Sequence, residues 1–136
     1  MGIFTRFRDI MGSNIDAMLD QAEYPIKTIK MMVSEMEDTL IELKSSCANV
    51  IANCKKLDRR QNELLTRLKL WSNRAELATN NGNDELAREA LQENHQLTEQ
   101  VKVLKNELKE INRQIDQYKH DITALESKLN HARDKK

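Results

Sequence analysis

The stretch that decides the fold is residues 29–57, IKMMVSEMEDTLIELKSSCANVIANCKKL. Its apolar side chains alternate by four and three: Ile29, Val33, Met36, Leu40, Leu43, Cys47, Val50, Cys54 and Leu57. A repeat of 3.5 residues keeps one stripe of a helix facing a partner along its whole length, which is the pattern of a coiled coil. Followed onward, the series continues through polar Gln61 to Leu64, Leu68, Trp71, Ala75 and Ala78 without a slip.

Asn80-Asn81-Gly82-Asn83-Asp84 then breaks the pattern. These residues tolerate left-handed backbone and cap helices, and Asp84 and Glu85 suit the amino end of a following helix. A second series begins beyond them: Ala87, Ala90, polar Asn94, Leu97, Val101, Leu104, Leu108, Ile111, Ile115, Tyr118, Ile122, Leu125, Leu129 and Ala132. The two arms, 26–79 and 83–136 around a turn at 80–83, are nearly equal in length. An all-α fold follows, a long antiparallel coiled-coil hairpin whose seams bury each other for about 80 Å at 1.5 Å per residue. Pairing in this hairpin joins residues whose numbers add to roughly 165, placing Lys55 and Lys56 near Glu110 and Glu107, and Leu57 by Leu108.

Composition agrees. Three glycines and one proline among 136 residues, with 32% charged side chains, leave few reversals for a sheet-rich fold. Two tyrosines, two phenylalanines and one tryptophan are too few for a thick globular core, so apolar burial runs along narrow seams. The formal net charge is zero, which gives nucleic acid no electrostatic footprint, and no nucleic-acid partner is expected. Locally, residues 1–25 carry a net −2, residues 26–79 a net +3 and residues 83–136 a net −1, so the arms are weakly complementary.

Ahead of the hairpin, Ile3, Phe4, Phe7, Ile10, Met11, Ile15, Met18, Leu19 and Ala22 recur at helical spacing, opposite Arg6, Asp9, Ser13, Asp16 and Asp20. Residues 2–22 read as one amphipathic helix, ended by Pro25, which belongs in the first turn of the next helix. Because the hairpin seams satisfy each other, eight large apolar side chains are left without an evident partner inside the chain. A bilayer surface supplies one, and residues 1–24 therefore read as a membrane-binding segment. Arg6 and Arg8 add roughly 1 kcal/mol each near anionic lipid. One copy binds weakly and reversibly, whereas many copies on one scaffold bind firmly.

Catalysis finds no support. No clustered glycines precede a Lys and Ser or Thr to cradle phosphate. His95, His120 and His131 are far apart, and neither cysteine lies at ligand spacing to a histidine, so no metal or cofactor is expected. Cys47 and Cys54 stand about 10 Å apart along one face, too far to bridge. Carboxylates such as Glu35, Asp38, Glu42, Glu107 and Glu110 lie on open helix faces. The basic run Lys55, Lys56, Arg59 and Arg60 reads as a flank facing acids rather than a phosphate site. Gln61 and Asn94 read as register-fixing polar core positions. Trp71, on the seam near the tip, is a core residue that also suits a partner anchor. No apolar run reaches the roughly 20 residues of a membrane span, and the amino terminus lacks the pattern of a signal peptide, which implies a cytoplasmic chain.

Several blocks together resemble phage-shock-protein A and its family: Met1-Gly2-Ile3-Phe4-Thr5-Arg6-Phe7 with Asp9-Ile10, Glu35-Met36-Glu37-Asp38-Thr39-Leu40, Ala75-Glu76-Leu77-Ala78, and Leu86-Ala87-Arg88-Glu89-Ala90-Leu91. The family includes the vesicle-inducing protein of plastids and is distantly related to ESCRT-III, and the resemblance spans the whole chain. It implies a non-enzymatic membrane-stress effector, peripheral on the cytoplasmic face of the inner membrane, that self-associates into higher oligomers to maintain or remodel the bilayer. Further implied partners are an AAA+ transcription activator, held inactive by the hairpin, and inner-membrane stress-sensor proteins. Carried over by position, Ile3, Phe4, Phe7, Ile10 and Met11 enter lipid, Lys44 takes the place of a basic subunit contact and Glu126 that of an acidic one. Two departures stand out. The family continues into further helices that lock polymers, so full polymerisation is not expected of these residues alone, and the tip Thr79-Asn80-Asn81-Gly82-Asn83 is more turn-like than the family's.

Overall fold

A computed structural model describes residues 2–135. Four helices follow in order: α1 (Ile3–Gly12), α2 (Ile15–Gln21), α3 (Pro25–Asn80) and α4 (Asp84–Arg133), with no strand among the described residues. Lys136, the last residue of the expected second arm, lies outside them. Pro25 occupies the first position of α3, where its missing N–H costs nothing. At the reversal, Gly82 adopts φ +73°, the left-handed conformation that a side chain would strain. Asn83 then caps α4, its Oδ1 accepting from the Leu86 amide at 3.2 Å, and Asp84 and Glu85 stand in the first turn. α3 and α4 pack against each other as the expected hairpin.

Every residue of the two heptad series is buried or half-buried. The chain divides into two compact units, Met1–Val50 with Gln114–Lys136, and Ile51–Arg113.

In the second unit the buried positions include Cys54, Leu64, Leu97, Leu104 and Leu108, with alanines Ala75, Ala78, Ala87 and Ala90 towards the turn. The register matches the sequence reading. Asn94 Nδ2 donates to Ser72 Oγ at 2.6 Å and to the Leu68 carbonyl at 3.5 Å, and the Cys54 thiol donates to Asn112 Oδ1 at 3.6 Å. These pairs have numbers adding to 166, 162 and 166. Asn94 thus fills a seam position with its amide satisfied across the arms, as a register-setting residue requires. The expected cross-arm pairing of the basic run is not made among the described residues. Glu110 instead binds Arg113 on its own helix at 2.5 Å, and Arg60 lies 3.6 Å from Glu63. Both are i,i+3 neighbours, and shorter reach along one helix wins over reach across the seam. Cys47 and Cys54 are both free thiols.

The first unit is built differently, with a third element on the seam. Its core joins Ile29, Val33, Met36 and Leu43 of α3 and Leu125, Leu129 and Ala132 of α4 to Ile10 of α1 and Ile15 of α2. Ile3, Phe7, Met11 and Leu19 pack against the same cluster. Two corrections to the sequence reading follow. Residues 2–22 do not form one helix: after Gly12, the last residue of α1, Ser13 and Asn14 interrupt them, Ser13 being the C-cap of α1 and Asn14 the N-cap of α2, its side chain accepting from the Ala17 amide at 3.1 Å. Glycine is a poor helix former, and Ser and Asn bind local backbone better outside a helix than within one. Nor does this segment lack an internal partner, since Ile10 and Ile15 are buried against the hairpin's base.

Candidate functional site

Two helices of ten and seven residues are shorter than the length that holds in water alone, so the order of α1 and α2 comes from what they pack upon. Their inward face is Ile3, Phe7, Ile10 and Met11, then Ile15 and Leu19. Phe4 and Met18 stand at the margin, 48% and 44% exposed. The Phe4 ring lies with its centroid 5.7 Å from that of Tyr118, tilted by 43°. Of the two arginines, Arg8 is exposed and Arg6 pairs with Glu42 of α3.

The seat is not purely apolar. Thr39 is fully buried, and its hydroxyl has no hydrogen-bond partner among the described residues. Thr39 lies in α3 between Met36 and Leu43, both members of the core cluster that includes Ile10 of α1 and Ile15 of α2. Among the described residues the buried Nε of Arg6 likewise finds no acceptor. Methionines supply much of the adaptable surface: Met18 of α2 and Met32 and Met36 of α3 line one groove beside Ile10 and Ser13.

Charged groups fasten the edge. Lys128 of α4 extends its ammonium to the carbonyl oxygens of Met11, at 3.1 Å, and Ser13, at 2.5 Å. Burial pushes its pKa down. Asp16 on α2 meets Lys135 at 3.0 Å and His131 at 3.7 Å. The hydrogen bond from Lys135 holds the Asp16 carboxyl below its ordinary value, with His131 adding to the effect.

The other residues singled out from the sequence lie elsewhere. Lys44 and Glu126 are exposed, and neither takes part in an ion pair among the described residues. Trp71 is half-buried, with the Arg74 guanidinium 4.7 Å above its ring. Beside it, Leu77 and Leu86 are 62% and 54% exposed and line an apolar groove with Ala78 and Ala90.

Sequence reasoning missed the seat's own residues: Thr39, Glu42 and Lys128. The Gly12-Ser13-Asn14 triplet was the available signal for the helix break. Nothing local pointed to Lys128, which is 115 residues from Ser13 in the chain. Among the described residues no three His, Cys, Asp or Glu side chains converge as metal ligands, and no helix is long and apolar enough to cross a membrane.

The family model described as the PspA/IM30 family matches residues 2–136. Over all 136 residues the chain is 32% identical to the membrane-associated protein Vipp1 of Synechocystis, of which it covers 51%, and 31% identical to that of Nostoc punctiforme, of which it covers 53%. A phage shock protein A homolog of Deinococcus radiodurans is 30% identical, with 61% of its length covered. The chain thus spans about half the length of the Vipp1 relatives that it matches.

Proposed function

Since the chain belongs to the PspA/IM30 family, we propose that it is a peripheral membrane protein of the membrane-stress response that attaches to anionic lipid through α1 and α2 and self-associates to maintain or remodel the bilayer. The observation that carries the reading is the incomplete docking of an amphipathic segment. Phe4 and Met18 remain about half exposed, while the fully buried Thr39 hydroxyl and the buried Arg6 Nε find no partner among the described residues. Leaving such a seat returns both polar groups to water, which lowers the cost of undocking. Relatives named as membrane-associated support the same direction.

On lipid, Ile3, Phe4, Phe7, Ile10, Met11, Ile15, Met18 and Leu19 form the inserted face. Arg6, freed from Glu42, and the exposed Arg8 meet headgroup phosphates. The site of action is the cytoplasmic face of the inner membrane. Co-sedimentation with vesicles containing anionic lipid, using the chain with and without residues 1–24, tests this. Loss of sedimentation on truncation is expected, and equal sedimentation of both forms removes α1 and α2 from the role.

The exposed apolar groove beside Trp71, with Leu77 and Leu86, favours a second role, binding of a protein partner. In this reading the hairpin restrains an AAA+ transcription activator, with inner-membrane sensor proteins relieving the restraint. An ATPase assay of a cognate activator tests it: lowered turnover on adding the chain is expected, and unchanged turnover overturns it.

A further inference from the structure

In a continuous helix over residues 2–22, the Met11 carbonyl accepts from the Ile15 amide and the Ser13 carbonyl from the Ala17 amide. The observed break abolishes both bonds. The Ala17 amide turns to the Asn14 side chain, and both carbonyls turn to one ammonium, that of Lys128. Lys128 therefore recognises the broken segment and not a straight one, because only the break presents those two oxygens together.

We infer that Lys128 is the pin of a conformational latch, holding residues 3–21 as two docked helices and opposing their fusion into one continuous amphipathic helix. The value of such a latch to the cell rests on the lipid-binding reading above, but its existence does not. Three features support it. The contact is charge-assisted and bridges segments 115 and 117 residues apart, so it reports docking and nothing local. It sits at the carboxyl end of α1, where unpaired carbonyls and the helix dipole favour a cation. Its ammonium also gives up water to be there, and burial lowers the Lys128 pKa accordingly. Undocking thus restores water to Lys128, to Thr39 and to Arg6 while the backbone of residues 11–17 regains helical bonds. Two ion pairs, Arg6 with Glu42 and Asp16 with Lys135, tie the segment down before Met11 and after Ser13 in the chain.

The test is amide hydrogen exchange of the full chain without lipid, comparing wild type with Lys128→Met and Lys128→Arg. Loss of a charge-assisted bond predicts about tenfold or faster exchange across residues 3–21 in Lys128→Met. Exchange in α3 should be unchanged, and Lys128→Arg should retain most of the protection. Unchanged exchange of residues 3–21 in Lys128→Met overturns the latch, as does equal loss of protection throughout the hairpin. A parallel arm measures binding to vesicles containing anionic lipid. Faster exchange with tighter vesicle binding supports latch and lipid role together. Faster exchange with no vesicle binding by either protein keeps the latch and rejects the lipid role.

Discussion

Phe4 and Tyr118 meet ring to ring, at a centroid separation of 5.7 Å, although Phe4 remains 48% exposed. That combination separates it from Ile10, which is buried in the core of the same unit. Phe4→Ala should change the melting temperature little and weaken vesicle binding severalfold. Ile10→Ala should destabilise the first unit by about 2–5 kcal/mol, the range for truncating a buried aliphatic side chain. Thermal melts monitored by circular dichroism, beside vesicle sedimentation, distinguish the two.

Asn14 holds the amino end of α2 through its side chain. A continuous helix has no use for that cap. Asn14→Ala should therefore cost the docked form about 1 kcal/mol and leave the fused helix unharmed. Tighter binding to anionic vesicles is the expected reading, and weaker binding would contradict it.

Acid should loosen the segment through Asp16. Its carboxyl is held below the ordinary value of 3.8, first by the Lys135 hydrogen bond. A carboxylate whose folded pKa is depressed stabilises the fold above its unfolded pKa, and that contribution is lost as pH falls through the folded value. Protection of α2 amides should be steady above pH 3.8 and fall below it. Asp16→Asn should lower the protection at neutral pH and flatten this acid dependence.

At the reversal, Gly82 has a φ of +73°, and a Cβ there meets no atom within 4 Å. Only backbone strain opposes a side chain, so Gly82→Ala should destabilise the hairpin by roughly 1–2 kcal/mol. Gly82→Asn should recover part of that loss. Urea titrations of the two variants check both.

The hairpin was legible because its information is local and periodic. Each of Ile29, Val33 and Met36 declares the seam by its spacing from the next residue, and Gly82 and Asn83 mark the turn by their own backbone chemistry. Pairing register followed from arm lengths, and Asn94 with Ser72 occupies it. The docking of residues 3–21 was not legible on those terms. Periodicity showed that Phe7, Ile10 and Ile15 share a face, but an amphipathic face is the same whether a bilayer or a protein covers it. What decides between them here is a set of distant contacts, Arg6 with Glu42 and Lys128 with Ser13, that no window along the chain contains. The helix break, by contrast, was readable in Gly12-Ser13-Asn14 and yielded to the strength of the apolar spacing around it.

Under the proposed function, residues 3–21 exchange their protein seat for a lipid one. Spin labels at Thr5→Cys and Lys119→Cys, exposed neighbours of Phe4 and Tyr118, measure this directly by electron–electron resonance once Cys47 and Cys54 are replaced by alanine. Without vesicles a short, narrow distance is expected, and vesicles containing anionic lipid should convert it to a longer, broader distribution. If the short distance persists on protein that is fully bound to those vesicles, the segment does not leave its seat and α1 and α2 are not what attaches the chain to lipid.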